Sequence, residues 1–424
     1  MNDNIATPFA KPLYVMLKPA GAHCNLDCKY CYYLEKNNLY NTSQRHLMTD
    51  EMLEQFTREY IEAQTMPQVL FTWHGGEPLM RSIDFYKKAL ELQKKYAHGK
   101  QIDNVIQTNG TLLTDEWCEF FAQNHFLVGI SIDGPQEYHD HYRQTAAGKP
   151  SWEKVMHGIH LLKKHRVEWN AMAVVNAYNA EHPLEFYHFF RDNGCQYLQF
   201  TPIVERLTEH EDGRTLASLA DVSHEDNYED VGNAKKQKEN QEITIADFSV
   251  TPEQWGKFLC TIFDDWVRHD VGKIFVEIFD CTLANWVGVQ PGICAYSKEC
   301  GHAGVMEHNG DVFSCDHFVF PEYKLGNIQD KSLIDMLYGE KQQAFSRLKH
   351  TFLPCQCKEC DMEFACHGEC PKNRFENDKY GEPGLNYLCK GYYEYYTHVA
   401  PYMDFMKREL QAQRPPANIM NVLK

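Results

Sequence analysis

No apolar run in this 424-residue chain approaches the length needed to cross a bilayer as a helix, so nothing in it reads as a membrane span. Basic charge is scarce. The 42 Lys and Arg stand against 59 Asp and Glu, a formal net charge of −17. That balance disfavours non-specific attachment to nucleic acid or to an anionic membrane. It fits either a solvated acidic surface or a basic partner. The segment Met1 to Pro12 lacks the charged-then-apolar pattern of an export signal, and a cytoplasmic location is the resulting expectation.

Cysteine is the opposite case, with sixteen. In a small secreted protein such a number would suggest disulfides. Here the chain is long and its cysteines come in tight groups, which favours metal or cluster ligation. Cys118, Cys195, Cys260 and Cys281 fall in apolar or helical surroundings and read as core thiols.

Apolar runs alternate with helical patterns through the first half. Leu13–Leu17, Val69–Trp73, Val105–Gln107, Leu127–Ser131, Ala171–Val175 and Tyr197–Phe200 read as strands. Helices are expected between them. Thr49 and Thr114 stand as N-caps before acidic pairs, and Leu53, Phe56 and Tyr60 share one helical face. Six such units predict an α/β fold, a partial (β/α)6 parallel barrel over residues 1–245. In such barrels the loops after the strands carry the site. Residues 205–241 are polar and break the pattern, as a surface insertion or mobile loop would. Thr251-Pro252-Glu253-Gln254 restarts order with a capping box, opening a helical connector over 246–290. Residues 291–424 shift to Cys, Gly and short elements, and form the expected second domain.

Cys24, Cys28 and Cys31 make a CxxxCxxC pattern directly after the first strand. Three thiolates can hold three irons of a [4Fe–4S] cube and leave the fourth open to another ligand. Zinc is the competing occupant, but structural zinc takes four closed ligands. No fourth cysteine or suitably spaced histidine completes this loop, and His23 adjoins Cys24 too closely.

This motif, with Tyr30 and Tyr32 flanking Cys31, resembles the radical S-adenosylmethionine superfamily. The resemblance implies that S-adenosyl-L-methionine chelates the open iron and is cleaved to a 5′-deoxyadenosyl radical. Gly75-Gly76-Glu77-Pro78 resembles the family's second-strand motif, whose backbone receives the cofactor's amino group. By the same resemblance Tyr30 belongs to the cofactor site, Ser131 touches the ribose region, Arg143 pairs with the carboxylate and Val204 borders the adenine. Read without it, Arg143 is a surface salt-bridge partner and Val204 a core residue.

Further on come Cys294, Cys300 and Cys315, then Cys357, Cys360, Cys366 and Cys370, then Cys389. By spacing alone they fit two zinc sites or two fully ligated clusters. They resemble the twin-cluster SPASM extension of peptide-modifying radical enzymes. That resemblance assigns Cys294, Cys300, Cys315 and Cys370 to a nearer auxiliary cluster, and Cys357, Cys360, Cys366 and Cys389 to an outer one. The implied cofactors are three [4Fe–4S] clusters and S-adenosyl-L-methionine. Cys355 sits two residues before Cys357 and is open as its substitute.

Over nearly its whole length, least over 205–241, the chain is similar to anaerobic sulfatase-maturating enzymes. In that family the Asp after the cluster cysteine is the catalytic base, here Asp316 in Cys315-Asp316-His317-Phe318. The implied reaction oxidises a Cys or Ser of a sulfatase segment of the Cys/Ser-x-Pro-x-Arg type to formylglycine, after hydrogen removal from the β-carbon. Tyr33 is implied as a substrate contact, and a reduced flavodoxin- or ferredoxin-like protein as electron donor. As plain residues, Asp316 suits a turn and Tyr33 a packing position. The rival within the superfamily is a SPASM enzyme that forms thioether or carbon–carbon cross-links in a peptide. Such enzymes often carry a peptide-binding domain before the barrel, and only a short lead precedes Tyr14 here. The rival from outside it is a zinc scaffold or an electron carrier.

Overall fold

In the computed structural model, which describes residues 13–33, 36, 39–40, 47–210, 213–216 and 243–423, the apolar run after Leu13 is strand β1, Tyr14–Leu17. Helix α1, Asp50–Ala63, begins where the sequence offers a cap: the Thr49 hydroxyl accepts from the Met52 amide. Leu53, Phe56 and Tyr60 are buried on one stripe of α1. Phe56 stacks on Tyr60 at 5.1 Å, and Tyr60 meets Phe71 edge-on at 5.2 Å.

The alternation continues as expected. Strands β2 (Gln68–Trp73), β3 (Gln101–Thr108) and β4 (Leu127–Ser131) are separated by α2 (Ile83–Tyr96) and α3 (Asp115–Gln123). Thr114 caps α3 by accepting from the Trp117 amide. Helices α4 (Gln136–Tyr142) and α5 (Trp152–His165) precede β5 (Trp169–Val175), and α6 (Pro183–Asp192) precedes β6 (Tyr197–Pro202).

Residues of the polar insertion expected at 205–241 lie mostly outside those described. Its described parts are strands rather than loop. Strands β7 (Arg206–His210) and β8 (Gly213–Leu216) pair antiparallel, and β9 (Ile243–Ile245) adds to β7 on its other side. Helix α7, Pro252–His269, opens with the expected capping box, in which Thr251 and Gln254 exchange side-chain and backbone hydrogen bonds. The segment expected as a helical connector also contributes a strand. After α7 comes β10 (Phe275–Val276), parallel to β6, and then α8 (Glu277–Val287).

Strands β11 (Ala303–Met306), β12 (Asp311–Phe313) and β13 (Lys324–Asn327) follow, and helix α9, Glu340–Thr351. The last long helix is α10, Cys389–Gln411. Two compact units emerge in an order that sequence position alone does not suggest. The first draws on Met1–Ile132, His139–Asn170 and Gly301–Arg347; the second on Asp133–Tyr138, Ala171–Cys300 and Leu348–Lys424. In the first, the strand order is β4-β3-β2-β1-β11-β12-β13. It is parallel from β4 through β11, with Tyr14 opposite Ala303, and antiparallel beyond. Residues 301–347 thus extend the N-terminal sheet instead of starting a separate body. In the second unit β5, β6 and β10 are parallel neighbours. There α7, α8 and α10 share an aromatic core, in which Trp255 meets Tyr392 and Tyr395 meets both Phe263 and Phe279. Among the described residues no helix is long and apolar enough to cross a membrane.

Candidate active site

The loop after β1 carries Cys24, Cys28 and Cys31. The Cys31 amide donates to the Cys28 carbonyl at 2.9 Å, closing a tight turn. The Cys24 sulfur accepts from the Leu26 amide at 3.4 Å and from Asn109 Nδ2 at 3.6 Å. Such donors suit a thiolate that carries charge. Asn109 also donates to the Asn25 side chain, which in turn donates to Thr111. The loop after β3 therefore braces the cysteine loop.

The Gly-Gly-Glu-Pro segment ends β2 and lies directly on this loop. The Gly76 amide donates to the Gly21 carbonyl and the Glu77 amide to the His23 carbonyl, both at 2.8 Å. Gly75 has φ +120°, and a Cβ on Gly76 would stand 2.2 Å from the His23 oxygen. No side chain fits there. The Glu77 carboxylate is engaged by the protein itself. It accepts from the Leu79 amide, the Thr108 hydroxyl and the Asn109 amide at 2.7–2.9 Å. Burial pushes its carboxyl up to about 7 against these three donors.

Tyr30 is buried, with the Arg143 guanidinium 5.5 Å from its ring centre. Arg143 itself is buried, so the surface salt-bridge reading fails for it. The Ser131 hydroxyl accepts from Gln107 Nε2 at 2.9 Å at the end of β4. Val204 belongs to the second unit, where it is buried and its carbonyl accepts from Lys372 at 2.9 Å.

Asp316 sits in a cluster of phenolic and charged side chains. It opens a short 3-10 turn, Asp316–Phe318, immediately after Cys315. One carboxylate oxygen accepts from the hydroxyls of both Tyr32 and Tyr33 at 2.5 Å. The other lies 2.6 Å from Lys18 Nζ, and its main-chain oxygen accepts from Lys36. Lys18 also reaches Glu307 at 3.0 Å, and its side chain is wholly buried. The Tyr33 hydroxyl is 3.3 Å from His74 Nδ1, a nitrogen that also accepts from the Gly75 amide. Lys18 and Lys36 lie 4.5 and 4.3 Å from the ring centres of Tyr33 and Tyr32.

Burial opposes ionisation of Asp316, but Lys18, then Lys36 and His74, outweigh it and hold the carboxyl well below the usual range. Burial, and then the Asp316 charge, push both tyrosine hydroxyls well above theirs. The centre is thus an ionised carboxylate held by neutral phenols and buried ammonium groups. Sequence reasoning missed Lys18, Lys36, His74 and Glu307. A readable signal existed for three of them: Lys18, His74 and Glu307 each follow directly on an apolar strand, where a barrel places its functional groups.

In the second unit Cys357, Cys360, Cys366 and Cys389 all line one cavity of about 790 Å³. Cys355 does not. Its thiol and amide both donate to the Glu382 carboxylate, at 3.2 and 2.8 Å. Four cysteines on one cavity are the donor set that a fully ligated [4Fe–4S] cube takes. Among the described residues no three or more His, Cys, Asp or Glu side chains are arranged to hold one metal ion. Cys294, Cys300 and Cys370 also belong to the second unit, and Cys315 to the first. Of the cysteines read as core thiols, Cys118, Cys195 and Cys281 are buried and Cys260 is half-buried.

Residues 19–190 match the Radical SAM superfamily, and residues 299–361 match SPASM, an iron–sulfur cluster-binding domain. The chain is 67% identical to a serine-type anaerobic sulfatase-maturating enzyme of Bacteroides thetaiotaomicron, over 100% of this chain and 98% of that one. It is 30% identical to a cysteine-type anaerobic sulfatase-maturating enzyme of Clostridium perfringens, over 92% and 97% of the two chains. A solved structure of native anSMEcpe with bound AdoMet and Cp18Cys peptide superposes with a TM-score of 0.77. It is 28% identical, with 94% of this chain and 100% of that chain covered. The α/β architecture, the cysteine motifs and these likenesses agree: the chain belongs to the family of anaerobic sulfatase-maturating enzymes, radical S-adenosylmethionine proteins with a SPASM iron–sulfur domain.

Proposed function

We propose that this protein oxidises an active-site serine of a sulfatase to formylglycine, with Asp316 as the base. The observation that carries the reading is the Asp316 carboxylate itself: half-buried, anchored by Tyr32, Tyr33 and Lys18, and adjacent in sequence to Cys315. The choice of serine rests on the 67% identity to a serine-type relative, against 30% to a cysteine-type one.

Cys24, Cys28 and Cys31 would hold the first cube with one iron open, and two further sets of four cysteines would hold the auxiliary cubes. When bound, the first cube and S-adenosyl-L-methionine would supply a radical able to take a hydrogen atom from the substrate β-carbon, and an auxiliary cube would supply an acceptor for one electron. The chain's own part is positioning and proton transfer. The amides of Gly76 and Glu77 are already committed to Gly21 and His23, so the motif would receive the cofactor's amino group on its carbonyls. Arg143 and Tyr30 would face the carboxylate, Ser131 the ribose and Val204 the adenine.

Once the β-carbon has lost its hydrogen atom, its hydroxyl must give up a proton as the remaining electron leaves. As the electron leaves, that oxygen becomes part of a protonated carbonyl, a far stronger acid than any alcohol, so a carboxylate of low basicity suffices. Asp316 meets the need because its neighbours keep it ionised and fixed in place. Tyr33 would contact the substrate backbone beside it. A Ser-x-Pro-x-Arg segment carries a positive charge, which the acidic balance of −17 accommodates. The reading includes a reduced flavodoxin- or ferredoxin-like electron donor and a cytoplasmic site of action.

Anaerobic turnover with peptides carrying Ser-x-Pro-x-Arg or Cys-x-Pro-x-Arg, read by mass spectrometry and hydrazide capture, tests the reading. The serine peptide should lose two hydrogens and become hydrazide-reactive. A product of equal mass loss that hydrazide does not capture would instead indicate an internal cross-link and overturn it.

A further inference from the structure

Two cations, Lys349 and Arg374, lie among the auxiliary cysteine loops of the second unit, the first buried and the second half-buried, and the reaction above gives neither a part. Lys349, on α9, has a fully buried side chain. Its ammonium donates to the main-chain oxygens of Ala295 at 2.6 Å and of Cys294 and Ser297. An ammonium has three hydrogens, so all of them end on carbonyls of one turn and none on a carboxylate. A charge this deep needs negative charge nearby. Burial pushes its ammonium down, and Cys300, Cys370, Glu369 and Cys294 oppose that, three of them cysteines of one proposed cluster.

Arg374 serves the neighbouring turn. Its guanidinium donates to the carbonyls of His367 at 2.6 Å, Gly368 at 2.7 Å and Glu369 at 3.0 Å, and to the Lys349 carbonyl at 2.5 Å. The first three residues run through consecutive left-handed conformations, with φ of 48°, 67° and 53°. Two of them are not glycine, so the turn is strained unless something holds it. It spans the gap between Cys366 and Cys370, which the cluster reading gives to different cubes. The Arg374–Lys349 bond joins this turn to the Cys294–Ser297 turn.

We propose that Lys349 and Arg374 form a cationic clasp on the auxiliary cluster loops, Lys349 raising the reduction potential of the cube whose four ligands include Cys294, Cys300 and Cys370, and Arg374 fixing the turn that separates Cys366 from Cys370. The inference rests on the reading that these cysteines bind iron–sulfur clusters. Reduction adds an electron to a cube already made anionic by its thiolates. A fixed cation in a dry setting stabilises the reduced form more than the oxidised one, and cluster potentials follow such local charge. Lys349 is a positioning residue in this account; it need touch no substrate.

The test uses the full-length chain carrying Cys24→Ala, Cys28→Ala and Cys31→Ala, so that only auxiliary clusters report. Iron analysis and an EPR-monitored redox titration are run under anoxia. Lys349→Met should make reduction of one cluster at least tenfold less favourable, a fall of about 59 mV for one electron, and leave the other unchanged. Lys349→Arg should restore the potential. If Lys349→Met does not accumulate, Lys349→Gln takes its place in the same titration. Arg374→Gln should lose auxiliary iron, and Arg374→Lys should regain part of it. Full iron with both potentials unmoved by loss of the Lys349 charge overturns the clasp's electrostatic role, and full iron in Arg374→Gln overturns its structural one. Absence of auxiliary iron from the parent chain would be a different failure, that of the cluster reading itself.

Discussion

Lys18 is buried without residual exposure and holds two carboxylates, Asp316 at 2.6 Å and Glu307 at 3.0 Å. A buried charge cluster of this kind is costly to disturb, because the partner left behind has neither water nor a counter-ion. Lys18→Met should therefore destabilise the fold by about 3–5 kcal/mol, seen as a lower midpoint in anaerobic urea unfolding. An unchanged midpoint would mean that the two acids do not depend on it. At this scale the sequence was informative about Asp316 and Tyr33, and marked Lys18, His74 and Glu307 only by their place after apolar strands. Asp316 could be singled out because Cys315-Asp316-His317-Phe318 resembles the family's motif. Lys18 and Glu307 are 289 positions apart in the chain, and nothing local in either marks the other as a partner.

Helix starts were legible because caps are local. Thr49, Thr114 and Thr251 each accept from an amide two or three residues into the helix they open, as their sequence contexts predict. Strand partners were not. The pairing of β11 with β1 and of β10 with β6 joins segments far apart in sequence. Such contacts depend on how the whole sheet assembles, and a run as short as Phe275–Val276 carries no periodicity of its own. The cysteine turn before α10 shows the same limit. Spacing left Cys355 and Cys357 interchangeable. Only the fold turns Cys357 into the cavity shared with Cys360, Cys366 and Cys389 and ties Cys355 to Glu382. Cys357→Ser should thus lose iron from the protein purified under anoxia, and Cys355→Ser should keep it. Equal iron loss in both variants would contradict the separation.

The molecule as a whole is a sheet-based scaffold for cysteine loops. Eleven cysteines fall into the three proposed ligand sets, and the other five stand apart from them. Three cubes of four irons imply about a dozen irons per chain with broad visible absorption. Colourless protein containing zinc, or iron for a single cube, would contradict that count. The overall architecture was the most legible feature of all, since strand–helix alternation and the CxxxCxxC loop after the first strand sit in plain sequence order. The regrouping of residues 301–347 with the N-terminal strands was hidden, because domain boundaries in sequence follow composition, whereas compact units follow long-range pairing.

Asp316→Asn, turned over anaerobically with a serine peptide deuterated at the β-carbon, puts the proposed division of labour to its most direct test. The variant should still move deuterium into 5′-deoxyadenosine, while aldehyde formation falls roughly 100-fold or more, within the range typical of losing a general base. Aldehyde formed at the wild-type rate would contradict the account, because the proton would then be leaving to some other group.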